Sequence, residues 1–438
     1  MSKTFRDWSL DQALLLPPSV HDFVPADHLS RFVIALVTEE FDLSAVLASY
    51  RGEKGQPPYH PAMMVALLLY AYAVGLYSSR RIAKACLERV DFMAIVALQA
   101  PDFRTISEFR RRHLTALSAL FVQVLQLCEA AGLVKLGHVA LDGTKIKANA
   151  SKHKAMSYER MSKRAAELQA EVDGWLEAAE AADAAEDKAF GADRRGDEMP
   201  DWVADKQKRL AKIREAKAAL EAEAKAKAAA EEAAHAKNDD KPRPKASAAP
   251  EPKAQRNFTD PESRILKTKD GYIQGFNAQA AVDATAQIIV AHTLSNNGSD
   301  QAQFAPLLDA VKANLGRNPH EVSADAGYCS AANLRTLGRR RIKGYIATGR
   351  QQHGSKSATA KRPAKPGSLL ARMSERLRRA SHRSRYRLRK QVVEPVFGQI
   401  KQARGFRQFL LRGIEKVKAE WAMICTAHNL RKLATAAA

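Results

Sequence analysis

The chain has 438 residues, with 70 Lys and Arg against 48 Asp and Glu, a net charge of +22 and 46% hydrophobic residues. That length holds two or three domains with cores of their own, and the basic excess favours a polyanion, DNA or RNA before an anionic membrane surface. The scattered Cys86, Cys128, Cys329 and Cys425 form no C-x-x-C pair, which speaks against a disulfide framework or zinc knuckle. Lys3, Arg6, Asp7 and Asp11 precede any apolar run and argue against a secretory signal.

Residues 1–136 read as an N-terminal helical domain. Ala62–Gly75 is a core helix after Pro61, and the apolar stretch to Leu76 is too short to span a bilayer, so a soluble protein without a membrane partner is expected. A second helix begins near Ser78 or Ser79, either of which suits an N-cap. Thr105-Ile106-Ser107-Glu108 has the spacing of a capping box and opens a helix carrying Arg110, Arg111 and Arg112, continued by the stripe Leu114, Leu117, Leu120, Phe121, Val124 and Leu127. Short helices with an Arg cluster fit a helix-turn-helix-like DNA module, with Arg110 and Arg111 as contacts; a bundle with basic outer faces fits equally well.

Residues 137–148 read as the first strand and its exit, with Asp142-Gly143-Thr144 after the apolar run. From about Ser151 to Lys237 the chain is rich in Ala, Glu and Lys, interrupted near Phe190–Pro200. This predicts a helical hairpin, with Leu168, Val172, Trp175 and Leu176 facing Trp202, Leu210, Ile213 and Leu220. The Lys-, Pro- and Ala-rich segment Asn238–Asn257 reads as a disordered linker, so 151–260 forms an insertion between 137–150 and 261–438.

Gly275–Asp283 and Gln287–His292 then pair as a hairpin around Ala284–Ala286, and Asp300 with Gln303 caps a helix to about Leu315. Glu321–Ala324 is a strand ending at Asp325-Ala326-Gly327-Tyr328, Ala331–Leu337 a helix, and Gly344–Thr348 the last strand. A Gly/Pro/Ser/Lys loop follows Gly349 to Ser368, then an Arg-dense helical region, Glu394-Pro395, and a final helix, roughly Ile414–Leu433. Pro395 either starts a helix there or kinks a longer one.

Asp142 and Asp325 each end an apolar run and precede Gly within two residues, as strand ends do where they deliver a carboxylate into a cleft. With Glu394 beside a dense cationic run, they form a candidate catalytic and metal-ligating triad expected to converge within metal-bridging distance. Hard carboxylate oxygens suit Mg²⁺, with Mn²⁺ as substitute, and two ions about 3.5–4 Å apart can serve both ends of a phosphodiester displacement. Arg378, Arg379, Arg383, Arg385, Tyr386, Arg389, Lys390, Lys401, Arg404 and Lys145 are candidate DNA contacts, clustered Arg being suited to backbone phosphates. Tyr386, Lys390, Glu394, Phe397 and Lys401 recur at spacings of four, four, three and four, one helix face.

These residues resemble bacterial insertion-sequence transposases of the DDE class. Asp142-Gly143-Thr144-Lys145-Ile146 resembles the first-Asp motif of that group and Ala324-Asp325-Ala326-Gly327-Tyr328 the second. Tyr386, Arg389, Glu394 and Lys401 resemble its Tyr-x2-Arg-x3-Glu-x6-Lys signature, with one extra residue between Arg389 and Glu394, so Arg389 and Lys390 both remain open for the Arg role. The resemblance implies an α+β chain: the helical N-terminal domain, then an RNase H-like mixed-sheet catalytic domain interrupted by the helical insertion. It further implies binding to the element's terminal inverted repeats, metal-dependent cleavage and strand transfer into target DNA, in the bacterial cytoplasm at the nucleoid. It also implies a homodimer on DNA. A nuclease of the same fold without strand transfer, and a non-catalytic DNA-binding protein, are the alternatives.

Overall fold

A computed structural model describes residues 19–50, 57–190, 201–235, 248–268, 270–349 and 365–437. Seven helices come first: α1 Leu29–Ala35, α2 Ser44–Leu47, α3 Pro61–Ala73, α4 Ser79–Glu88, α5 Val90–Ile95, α6 Phe103–Arg112 and α7 Leu114–Ala130. Pro61 fixes the first turn of α3, where its missing N–H costs nothing, and His60 accepts the N–H of Ala62. The capping box expected at Thr105 is not the start of α6. Asp102 caps it instead, accepting from the N–H groups of Arg104 and Thr105, because its carboxylate reaches the free donors one turn earlier. Ser78 stands at the cap position of α4 without a side-chain bond. The stripe expected to continue one helix breaks at His113, where α6 and α7 bend by 73°.

The strands are β1 His138–Lys147, β2 Ala155–Ser157, β3 Gln255–Asn257, β4 Arg264–Thr268, β5 Gly271–Asp283, β6 Ile289–Ser295, β7 Glu321–Ala324 and β8 Lys343–Ile346. Between β2 and β3 lie the long helices α8 Tyr158–Phe190 and α9 Asp201–His235; later come α10 Phe304–Leu315, α11 Ala331–Arg339, α12 Leu369–Arg378, α13 Ala380–Gly398 and α14 Ile414–Ala437. β5 is the hub of the main sheet: it pairs antiparallel with β1 on one edge and with β4 and β6 on the other, while β7 and β8 continue beyond β1 in parallel. The antiparallel β1, β4, β5 and β6 with the parallel β7 and β8 make a six-stranded mixed sheet among the described residues, and α helices and sheet together make the chain α+β.

One apolar core runs through the first seven helices, the sheet and α14. Ala278, Ala280 and Ala281 keep β5 thin where it is buried, from Gln274 to Asp283, and α14 buries Trp421, Met423, Ile424 and Cys425 against its surroundings. The N-terminal helices therefore share their interior with the main sheet. Tyr77 donates to the Arg404 carbonyl at 3.0 Å and Arg431 to the Ala73 carbonyl at 3.1 Å, fastening the two ends of the chain.

The insertion has a smaller core of its own. Met161 and Leu168 from α8 pack with Leu210, Ile213, Ala216 and Leu220 from α9, as the hairpin reading expects; Val172 is also buried. The side chains of Leu176 and Trp202 lie outside the described residues, as do 191–200 of the expected break, 238–247 of the expected linker and 350–364 of the expected loop. The rest of the linker is not disordered: Gln255–Asn257 pairs with β2, and Arg256 and Arg264 both bind Glu223 of α9. The short β2, β3 and β4 went unread because strands of three to five residues carry too few alternations to show a period.

Pro395 sits inside α13 rather than starting it. It cannot donate to the Gln391 carbonyl one turn earlier, and Gln287 supplies that bond from the β5–β6 turn at 2.9 Å. Lys432 holds the other end of the Gln287 amide at 2.9 Å. A tertiary contact thus replaces the helical hydrogen bond.

Candidate active site

β1 and β7 run parallel with His138 beside Glu321 and Leu141 beside Ala324. Asp142 comes next within β1, which runs on to Lys147 along β5 instead of ending there as expected, and Asp325 comes next after β7, so the register sets the two carboxylates side by side where the parallel pairing ends. The Asp142 side chain turns toward α13, and Asp325 folds back to accept the Gly327 N–H at 2.9 Å, capping the turn Ala326–Tyr328.

Arg389 of α13 joins the first and third carboxylates. Its Nη1 donates to Asp142 Oδ2 at 2.8 Å, and its Nη2 lies 3.0 Å from Glu394 Oε1. The Arg389 side chain is 12% exposed, and its Nε is buried without a hydrogen-bond partner. Lys390 is exposed, so of the two candidates for the signature Arg it is Arg389 that faces the carboxylates.

Burial pushes the Asp142 carboxyl up to about 7; Arg389 opposes this, while Asp325 and then Glu394 add to it by repulsion. Asp325 is raised too, first by burial, with Arg389 opposing and Asp300 adding repulsion. The N–H of Gly143 donates to Asp142 Oδ1 at 2.9 Å.

Asp300 is the site residue that sequence reasoning missed. Expected to cap a helix, it makes no side-chain cap bond there. Its Oδ1 instead accepts from Asn277 Nδ2 and Gln279 Nε2, each at 2.7 Å, two buried amides of β5. A methyl group on Gly143 would stand 2.3 Å from Gln279 Nε2 and 2.7 Å from Asp300 Oδ1, and one on Gly327 would stand 3.1 Å from Asp300 Oδ2. The glycines after both Asp residues therefore leave the room that Asp300 fills. The Tyr328 hydroxyl donates to Gln279 Oε1, and Trp421 Nε1 to the Gln279 carbonyl at 3.1 Å, which fixes the amide that holds Asp300. No local pattern announces this, because the partners come from β5, the turn after β7 and α14.

Several expected DNA contacts are internal. Arg110 is 6% exposed and donates to the Tyr72 hydroxyl, the Tyr77 carbonyl and Ser79 Oγ. Arg404 is 8% exposed against His428 and the Gln399 carbonyl, and burial brings it down to about 10. Tyr386 is buried at 4%. All three are turned inward, Arg110 and Arg404 onto hydrogen-bond partners within the protein and Tyr386 toward Arg389, Asp325 and Asp142. Lys401 is half-buried, donates to the Lys145 carbonyl at 2.9 Å and is lowered by burial. Lys145 borders a shallow cleft with Arg264 and Lys267. Arg111 is exposed and paired with Glu108 at 2.7 Å. Arg378, Arg379 and Lys390 are exposed, Arg383 is half-buried, and Arg385 reaches to 3.7 Å from Glu321.

The three carboxylates thus meet in pairs around Arg389. As placed, no three His, Cys, Asp or Glu side chains among the described residues could hold one ion. The donor set nevertheless fits a divalent cation: the oxygens are hard, and one guanidinium balances only part of the charge of Asp142, Asp325 and Glu394. Arg389 spans Asp142 and Glu394 as a cation would.

Residues 18–112 match the family described as Transposase domain (DUF772), and residues 247–430 match the one described as Transposase DDE domain. Asp325 and Glu394 fall inside the second match; Asp142 and the helical hairpin fall between the two. No curated protein and no solved structure matches the chain.

Proposed function

The chain belongs to the DDE-class transposases of insertion sequences, and from that premise we propose that it binds the ends of its own element, cuts the DNA there and joins the freed end to a target. The observation that carries the reading is the meeting of Asp142, Arg389 and Glu394 at the end of the parallel strand pair, with Asp325 alongside.

Asp142, Asp325 and Glu394 would hold the divalent ion, Mg²⁺ or Mn²⁺. When bound, one or two such ions supply an activated nucleophile and neutralise charge on the leaving oxygen. Arg389 keeps Asp142 and Glu394 oriented through its two terminal nitrogens. The exposed Arg387 and Lys390 beside Glu394 neutralise the backbone that enters the site. Burial of Asp142 keeps bulk water from one side of the centre. Two such chains holding one element end each would present both ends to a target, which is the role proposed for a homodimer on DNA.

The test uses duplexes carrying either end of the DNA that flanks the gene, with Mg²⁺, and the variants Asp142→Asn, Asp325→Asn and Glu394→Gln. Each should cut at least about a hundredfold more slowly while still binding, because the lost group is a metal ligand rather than a phosphate contact. Wild-type cutting by Asp142→Asn would end this reading. Joined products on a second duplex separate a transposase from a nuclease that only cuts.

A further inference from the structure

The parallel strands have a second end. Asp142 and Asp325 follow the last parallel pair, Leu141 beside Ala324; the N-terminal ends of the strands start at His138, Glu321 and Lys343. Four residues of β7 at about 3.3 Å each put the two ends on the order of 13 Å apart. At the N-terminal end two clefts of about 570 and 370 Å³ lie side by side and share Lys343. Arg340, Arg341 and Arg385 join Lys343 in the first, Arg372, Arg376 and Arg379 in the second, making seven cations against the two acids Glu321 and Glu375.

Some of these cations are spent within the protein. Arg340 pairs with Asp309 at 2.6 Å, Arg385 approaches Glu321, and Arg376 donates to the Gly344 carbonyl at 3.2 Å. Arg341, Lys343, Arg372 and Arg379 are exposed, with no ion-pair partner among the described residues. Arg341 also holds a left-handed backbone at φ 56°, a conformation that costs a non-glycine residue energy and turns up at binding sites more than elsewhere.

A ridge of side chains connects this end to the carboxylates. Arg379 caps α13, and Arg383, Arg387, Lys390 and Glu394 follow at spacings of four, four, three and four, one helical face; Arg387, Lys390 and Glu394 are exposed and Arg383 is half-buried. Fifteen residues at about 1.5 Å each make the ridge about 22 Å long. At about 3.4 Å per step of one strand that is six to seven base pairs.

We infer that the paired clefts at the N-terminal ends of β1, β7 and β8 are a second DNA-backbone site, which grips the duplex about six to seven base pairs from the phosphate at Glu394. The occupant is the flank of the duplex being cut, because the cationic ridge runs unbroken from the clefts to the site. The clefts hold phosphates: seven Arg and Lys side chains gather on their concave floors, against the single amide of Asn318 in the first. The inference rests on the DNA reading above, and deepens it by dividing the basic residues between two places.

The experiment uses the full chain and Arg341→Ala/Lys343→Ala/Arg372→Ala, which removes three exposed cations away from the carboxylates. Hydroxyl-radical footprints are taken on a 40-base-pair duplex from the gene's flanking DNA, with Ca²⁺ present. Wild type should protect the backbone at the cut and again six to seven base pairs away; the triple variant should lose only the distal protection. A parallel anisotropy titration against a random 30-base-pair duplex should show the salt slope flattened by about 0.9 per lost contact, about 2.7 for three. An unchanged slope, or an unchanged distal footprint with equal thermal unfolding, overturns the inference. So does loss of binding to a separate target duplex with the flank footprint intact, which would put the target there instead. If wild type leaves no footprint at either flank while the random-duplex slope still falls, the transposase reading fails and the backbone site stands.

Discussion

Asp142→Asn separates the electrostatics of the site from its chemistry, because the folded chain holds this carboxyl's proton to about 7 where an ordinary one lets go near 3.8. Between those pH values the folded state binds more protons than the unfolded chain, so stability falls as pH rises through the window. The span of about 3 units at about 1.36 kcal/mol each sets a ceiling of about 4 kcal/mol on the loss at pH 8. The substituted amide does not titrate and still offers Arg389 an oxygen. In EDTA the variant should match wild type at pH 4 and exceed it by about 1–4 kcal/mol at pH 8. Urea unfolding at five pH values reads this from the midpoints at constant slope. Mn²⁺ at pH 8 should restore wild type and leave the variant unmoved, since an ion that binds only the folded state stabilises by mass action. Parallel pH curves for the two proteins would refute the claim that Asp142 is buried at the cost of its charge.

Two further substitutions test the assignments. Arg110→Ala removes three buried hydrogen bonds and should cost about 2–4 kcal/mol in urea, whereas the exposed Arg111→Ala should cost under about 1 kcal/mol; per folded molecule, DNA affinity should not fall with Arg110→Ala. A drop in affinity with unchanged stability would restore Arg110 to the DNA surface. Gly143→Ala drives a methyl group against Gln279 and Asp300 and should destabilise by about 1–3 kcal/mol; an unaffected unfolding midpoint would show that Asp300 is not seated beneath β1.

How much of this was legible beforehand differs by residue. Asp142 and Asp325 stood out because a short apolar run ending in Asp and Gly is a local pattern, and the parallel register of β1 and β7 then leaves them adjacent. β1 and β7 and the α8–α9 hairpin could be read for the same reason: their periods and compositions lie within a few neighbouring residues. Net charge, too, is a sum over the chain and needs no fold.

Which cation faces what is another matter. Arg110 and Arg111 are neighbours of one type, yet one lies inside against Tyr72 and Tyr77 and the other in solvent; the difference comes from α3 packing on one side of α6. Arg389 and Lys390 divide in the same way, one on Asp142 and one outward. Asp300 has the local look of a cap and becomes a neighbour of Asp325 only because Asn277 and Gln279 of β5 hold it there. Pro395 keeps its helix through a bond from Gln287, more than a hundred residues earlier. From its own order of residues the chain determined the apolar runs that lead into Asp142 and Asp325, the basic character and the long helices between β2 and β3; that β1 runs on past Asp142 to Lys147 was set by its pairing with β5. The division of its charges between interior, active site and outer surface was decided by tertiary packing, because burial is set by whichever distant element covers a side chain, and no pattern within one segment carries that information.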